Sequence, residues 1–225
     1  MTHTAVFKGE VEKVGVVPPV ATRKEIQEEP MLFSASWIFA REMGGPLTRE
    51  IMDASMGAIF NSVPQPDYKH LVIDTRSHML NEGMYPAIPG WHCDCAPRHG
   101  YTGQPQPDRA TSDQLNFTCL VTSAERGGSK TKFLIGEHEL EYQPLWVWGS
   151  INEVIEDDPL LAADMVVRPW GEITRFTGRT LHRAQSSKEP GWRWRFFFRA
   201  SFMTRPPINE IRKQVQVYAP ASKGW

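Results

Sequence analysis

Trp192-Arg-Trp-Arg-Phe-Phe-Phe-Arg-Ala-Ser-Phe202 carries eleven consecutive residues with no glycine or proline and every second position apolar, all but Ala200 aromatic. Side chains alternate across a strand, so Arg193, Arg195, Phe197, Arg199 and Ser201 share one face while Trp192, Trp194, Phe196, Phe198 and Phe202 share the other. Aromatics on one face predict a buried back. The arginine face then meets either water or a cavity holding an anion, because a guanidinium buried without a partner is too costly. A dicarboxylate fits, since the planar fork pairs bidentately with carboxylate.

Upstream of this stretch the chain reads as short strands rich in β-branched and aromatic residues. They are Leu71-Val-Ile-Asp-Thr, Gln114-Leu-Asn-Phe-Thr-Cys-Leu-Val-Thr, Thr131-Lys-Phe-Leu-Ile, Leu145-Trp-Val-Trp, Met165-Val-Val, Ile173-Thr-Arg-Phe and Thr180-Leu-His-Arg-Ala. Turn formers fill the gaps, as in Glu125-Arg-Gly-Gly-Ser and Glu156-Asp-Asp-Pro. Earlier residues read as helical. One helix is expected over 30–43, closed by Gly44-Gly45, and a second from Pro46 along Ile51, Met52, Ser55, Ile59 and Phe60, ending at Val63-Pro-Gln-Pro66. The expected fold is mainly β, a jelly-roll core with N-terminal helices packed on one face. A single domain over 1–225 is expected, with a helical part over 1–70, the core over 71–202 and an extension over 203–225. The segment 97–113 reads as a long loop, of a length that is commonly functional.

Composition narrows the function. A formal net charge of −1 gives no global attraction to nucleic acid or anionic lipid. The total conceals a basic section from Arg168 to Lys213, with eleven Arg and Lys against Glu172, Glu189 and Glu210. Solvated strand faces are the bland account of that excess; an anionic ligand is the pointed one. No apolar run reaches the roughly 18 residues of a membrane span. Cys93, Cys95 and Cys119 form no disulfide framework, so a reduced, cytoplasmic setting is expected.

Pro89-Gly-Trp-His-Cys-Asp-Cys95 supplies the chemistry. On a strand His92 and Asp94 project to one side while Cys93 and Cys95 pack behind. An imidazole and a carboxylate at i and i+2 are two corners of the 2-His-1-carboxylate triad that holds non-heme Fe(II) with positions open. Alone the pattern is weak, and a third ligand has to come from His3, His70, His78, His99, His138 or His182. His3 lies in a terminus, His70 ahead of the core, and His138 in a polar edge. His182, in Arg179-Thr-Leu-His-Arg-Ala-Gln185, stands at the start of a strand with room for the intervening strands of a barrel.

His-x-Asp, a distant second histidine and an arginine on the following strand resemble the Fe(II)/2-oxoglutarate-dependent dioxygenases. The resemblance covers about 71–202 and leans toward the phytanoyl-CoA hydroxylase-like branch. It implies a double-stranded β-helix, iron held by His92, Asp94 and His182, and Fe(II), 2-oxoglutarate and O2 as reactants. Succinate and CO2 would be released as a substrate C–H bond is hydroxylated. Arg193, in Gly191-Trp-Arg, best fits the arginine that grips the far carboxylate of 2-oxoglutarate, ahead of Arg195 and Arg199. An arginine left over would meet the substrate. Asn81 and Tyr85, in Met79-Leu-Asn-Glu-Gly-Met-Tyr-Pro86, and Gln114, Asn116 and Thr118 are further lining candidates, each with a plain structural account beside it. A small-molecule substrate is expected over nucleic acid. The rival readings are a cupin-like metal site that works without 2-oxoglutarate and a non-catalytic jelly-roll module.

Overall fold

The computed structural model describes residues 2–62, 67–94, 96–123 and 129–218. Thirteen strands and four helices follow one another as β1 (His3–Gly9), β2 (Val11–Val16), β3 (Val20–Ala21), α1 (Arg23–Glu28), β4 (Met31–Phe33), α2 (Trp37–Met43), α3 (Pro46–Asn61), β5 (His70–Leu80), β6 (Leu115–Ser123), β7 (Thr131–Leu134), β8 (Gly136–Tyr142), α4 (Val147–Asp157), β9 (Met165–Val167), β10 (Glu172–Thr177), β11 (His182–Ala184), β12 (Arg193–Met203) and β13 (Glu210–Arg212). The architecture is mainly β, with antiparallel pairing throughout except β3 on β6.

The main sheet runs β2-β10-β6-β12-β5, with β3 beside β6. At its centre β12 is the aromatic–arginine stretch, paired along its whole length with β5 and over seven residues with β6. Phe196, Phe198, Ala200 and Phe202 point to the outer face. There they pack in one core with Ile26 of α1, Ile51, Met52 and Ile59 of α3, and Ile73 and Phe117 of the sheet. Helices α1 and α3 thus pack against this face. The other face carries Arg195, Phe197 and Arg199 and lines a cavity. A three-stranded sheet, β11-β7-β9, contributes Thr131, Phe133, His182 and Ala184 to the same cavity.

Four expectations need correction. The first residues are strand rather than helix or frayed end: β1 pairs with β8, and His3 stacks edge-on against Tyr142. The expected helix over 30–43 is split. Met31–Phe33 pairs with β13, Ser34 takes a left-handed φ of 46°, and Ser36 caps the helix that follows. Leu145-Trp-Val-Trp is no strand. Val147, Ser150, Ile151 and Ile155 are buried at helical spacing in α4, and a short aromatic run does not distinguish the two periods. His70 opens β5 instead of preceding the core. In α3 the expected face is buried at Ile51, Met52, Ser55 and Ile59, whereas Phe60 is exposed. Val63-Pro-Gln-Pro66, Cys95, most of Glu125-Arg-Gly-Gly-Ser and the end of the 203–225 extension lie outside the described residues.

The junction between α2 and α3 depends on a buried acid. Glu29 accepts from the backbone N–H of Gly45, Leu47 and Thr48 at 3.2, 2.6 and 3.4 Å, and from the Thr48 hydroxyl at 2.7 Å. This satisfies the orphan donors of the α3 N-terminus and places negative charge at its positive end. A Cβ at position 45 would collide with that carboxylate, so Gly45 is required by close approach.

Part of the basic excess is neutralised from afar. Arg175 pairs with Glu12, Arg183 with Glu156, and Arg199 with both Asp74 and Asp94. No helix among the described residues is long and apolar enough to cross a membrane.

Candidate metal centre

His92, Asp94 and His182 converge. Each offers a ligand atom, and the three atoms lie within 4.8 Å of one another. Local structure explains the approach. Gly90, at φ +108°, turns the chain before the motif, and Asn152 of α4 pins the turn by accepting from the Trp91 N–H at 2.6 Å. The motif is not on a continuous strand as expected. Only His92 bridges, to His182. The alternation survives all the same, with Trp91 and Cys93 buried in a second core cluster and His92 and Asp94 lining the cavity.

The donor set suits a divalent ion. Nδ1 of His92 lies 3.0 Å from the Gly90 carbonyl, and Nδ1 of His182 lies 3.0 Å from the Thr180 carbonyl. A carbonyl can only accept, so in the neutral rings Nδ1 carries the proton and Nε2 keeps its lone pair for a metal. His182 Nε2 stands 3.7 Å from Asp94 Oδ2. Burial drives the His182 imidazole down to about 4, against the pull of Asp94. Burial also pushes the Asp94 carboxyl up, but Arg199, His182 and His92 outweigh it and hold it at about 2. At neutral pH His182 is therefore neutral and Asp94 anionic.

The three candidate arginines separate. Arg193 is half-buried and donates to the Trp192 and Pro190 carbonyls at 3.4 and 3.2 Å, and it is absent from the cavity lining. Arg199 donates to Asp74 at 2.8 Å and to Asp94 at 3.2 Å, so it orients the Asp94 carboxylate. Arg195 is 4 % exposed and donates from Nη1 to the Ser129 carbonyl and hydroxyl at 2.9 and 3.2 Å. Its Nε has no partner, and no carboxylate among the described residues reaches it. Burial and nearby Arg76 push its guanidinium down to about 9, the direction of a cation lacking counter-charge.

The cavity encloses about 660 Å³, its open mouth included. Phe133, Phe176 and Phe197 supply apolar wall, and Arg76 and His78 of β5 supply charge and polarity. Sequence reading, which ends the strand at Thr75, weighs His78 only as a possible third ligand and misses Arg76. Asp74, Arg76 and His78 alternate as one face, and the register sets them opposite Arg199, Phe197 and Arg195. That D-x-R-x-H spacing was the available signal. Of the other candidates, Thr118 lines the cavity. Asn116 accepts from Ser201, and Gln114 donates to the Met203 sulfur. Asn81 accepts from the Gly191 and Glu82 N–H groups, and Tyr85 bridges to Tyr218; neither lines the cavity. Arg98 and His99 are exposed on the long loop. His138 is less solvated than expected, with Nε2 2.7 Å from the Ile135 carbonyl.

No family model matches this chain, and no curated protein does. Among solved structures it is similar to the nickel complex of the non-heme monooxygenase ThoJ, at 12% identity and a TM-score of 0.38 over 84% of this chain and 71% of that one. It is also similar to EctD from S. alaskensis. The form with 2-oxoglutarate and 5-hydroxyectoine gives 10% identity and a TM-score of 0.34 over 86% and 84% of the two chains. The form with bound Fe gives 11% and 0.36 over 86% of each. Likeness this distant fixes no activity, and the reading of the site rests on its own residues.

Proposed function

We propose that this chain is an Fe(II)- and 2-oxoglutarate-dependent oxygenase built on a double-stranded β-helix, acting on a small molecule. The observation that carries the reading is the pairing of a closed His-Asp-His cluster with a buried arginine, Arg195, that lacks an acid partner in the same cavity.

His92, Asp94 and His182 would hold the metal on one side and leave its remaining positions toward the cavity. Iron and 2-oxoglutarate, when bound, supply oxidative attack on a substrate C–H bond with release of succinate and CO2. Arg195 receives the far carboxylate, which moves the anchoring role from Arg193, the first choice by resemblance, to the arginine that faces the cavity. Ser129 fixes the Arg195 fork in advance, which lowers the ordering cost of binding. Arg199 keeps Asp94 charged and oriented. Phe133, Phe176 and Phe197 keep water from the reacting bond.

Anaerobic addition of Fe(II) and 2-oxoglutarate tests this. A weak visible charge-transfer band, followed by succinate on admission of air, is the expected result. Absence of both defeats the proposal.

A further inference from the structure

The cavity carries more positive charge than the proposed cofactors use. Arg76, Arg195 and Arg199 face Asp94 within it and Asp74 beside it, an excess of one positive charge. A divalent ion adds two and a dicarboxylate removes two, so one positive charge remains. Arg199 is neutralised by its two acids and Arg195 is taken by the dicarboxylate. The surplus therefore falls on Arg76.

Arg76 is placed to use it. No carboxylate among the described residues lies within ion-pair distance of its guanidinium. It projects from β5 opposite Phe197, between the rungs Asp74–Arg199 and His78–Arg195. Arg195 is nearly sealed, whereas Arg76 is only half-buried and also borders an outer hollow formed by Phe33, Arg212, Gln214 and Gln216. Arg195 thus occupies the enclosed position and Arg76 the one that an entering molecule meets. The hollow is itself polar, with Arg212 stacked 3.3 Å over the Phe33 ring and paired with Glu210 at 3.5 Å. A half-buried guanidinium held near two other arginines is unfavourable unless an anion joins it.

We propose that the substrate bears a carboxylate and that Arg76 receives it where the metal cavity meets this outer hollow. A single residual charge matches a monoanion better than a doubly charged phosphate. The inference rests on the proposed function for the divalent ion and for the assignment of Arg195 to 2-oxoglutarate.

The test uses the full chain loaded with Zn(II) and saturating 2-oxoglutarate, titrated by 19F NMR with fluorinated carboxylates of two sizes, their primary amides and a fluorinated phosphate monoester. The carboxylates are expected to bind at least tenfold tighter than the amides and tighter than the phosphate. Arg76→Gln should remove that preference and Arg76→Lys should keep most of it. Binding of 2-oxoglutarate should change less than threefold in Arg76→Gln but at least tenfold in Arg195→Gln. Equal binding of acid and amide, tighter phosphate binding, no carboxylate binding at all, or an unchanged preference in Arg76→Gln overturns the inference. Loss of 2-oxoglutarate binding in Arg76→Gln alone also overturns it, while leaving the oxygenase reading intact. If the wild type binds no 2-oxoglutarate, the oxygenase reading fails, and the acid–amide comparison without 2-oxoglutarate still decides the role of Arg76.

Discussion

His92 and His182 bridge one another through their backbones. The His92 N–H donates to the His182 carbonyl at 3.1 Å and the His182 N–H donates back at 2.9 Å, with ring centroids 4.7 Å apart. Two candidate ligands ninety residues apart in sequence are thereby held together by backbone alone. Removing either ring should leave that bridge in place and take away the metal. His182→Ala is expected to lower Fe(II) or Ni(II) affinity at least a hundredfold in a calorimetric titration while far-UV circular dichroism stays native. Unaltered affinity would remove His182 from the ligand set.

Behind the same bridge, Glu156 of α4 ties both ligand segments together. It accepts from the Trp91 indole at 3.1 Å and pairs with Arg183, whose guanidinium lies 4.9 Å over the Trp91 ring. Trp91 precedes one histidine and Arg183 follows the other. Outer groups that orient metal ligands are commonly worth 10- to 100-fold in affinity. Glu156→Ala should weaken metal binding about tenfold, and Glu156→Gln, which can still accept from the indole, should recover part of it. Equal affinity in all three proteins would make the clamp purely structural.

Acid should destabilise the protein once metal is chelated. In the unfolded chain an imidazole takes up its proton near 6.5. Folded His182 does so only near 4, chiefly because of burial. His78 is held well below its ordinary value by burial and by Arg195 and Arg76. Between those limits the unfolded state binds more protons, so stability is full above about pH 6.5 and is lost as pH falls. His182 alone accounts for a loss on the order of 2–3 kcal/mol. Asp94, held at about 2, adds nothing until below its ordinary range. Urea denaturation at pH 7 and pH 4.5 checks this, and His78→Gln should flatten the dependence. A pH-independent midpoint contradicts it.

Glu29→Ala strips the start of α3 of its acceptor and leaves three N–H groups, those of Leu47 and Thr48 buried, and the Thr48 hydroxyl unpaired. The cost should be about 2–3 kcal/mol, lowering the melting temperature by about 5–10 °C. Glu29→Gln should lose less. A change of under one degree would mean that water replaces the carboxylate.

What the sequence discloses is governed by alternation. The period-two pattern in Trp192–Phe202 correctly divided a helix-facing side from a cavity-facing side, and His-x-Asp with His182 marked residues that the folded chain brings together. Pattern failed where one residue sets the outcome. Ser36, by capping, ends the non-helical stretch before α2, and helical spacing at Val147, Ile151 and Ile155 was hidden behind two tryptophans. The resemblance ranks Arg193 first, whereas the cavity is lined by Arg195 and Arg199, because depth depends on what β5, β6 and residue 129 place around each arginine. Arg76 lies one residue past the point where the sequence reading ends its strand.

The most direct test of the site is calorimetric titration of 2-oxoglutarate into the protein with and without Fe(II), under nitrogen. One equivalent should bind in the presence of metal, with binding lost in Arg195→Gln and kept in Arg193→Gln. Equal binding in metal-free protein, or loss in Arg193→Gln with Arg195→Gln unaffected, would contradict the arrangement.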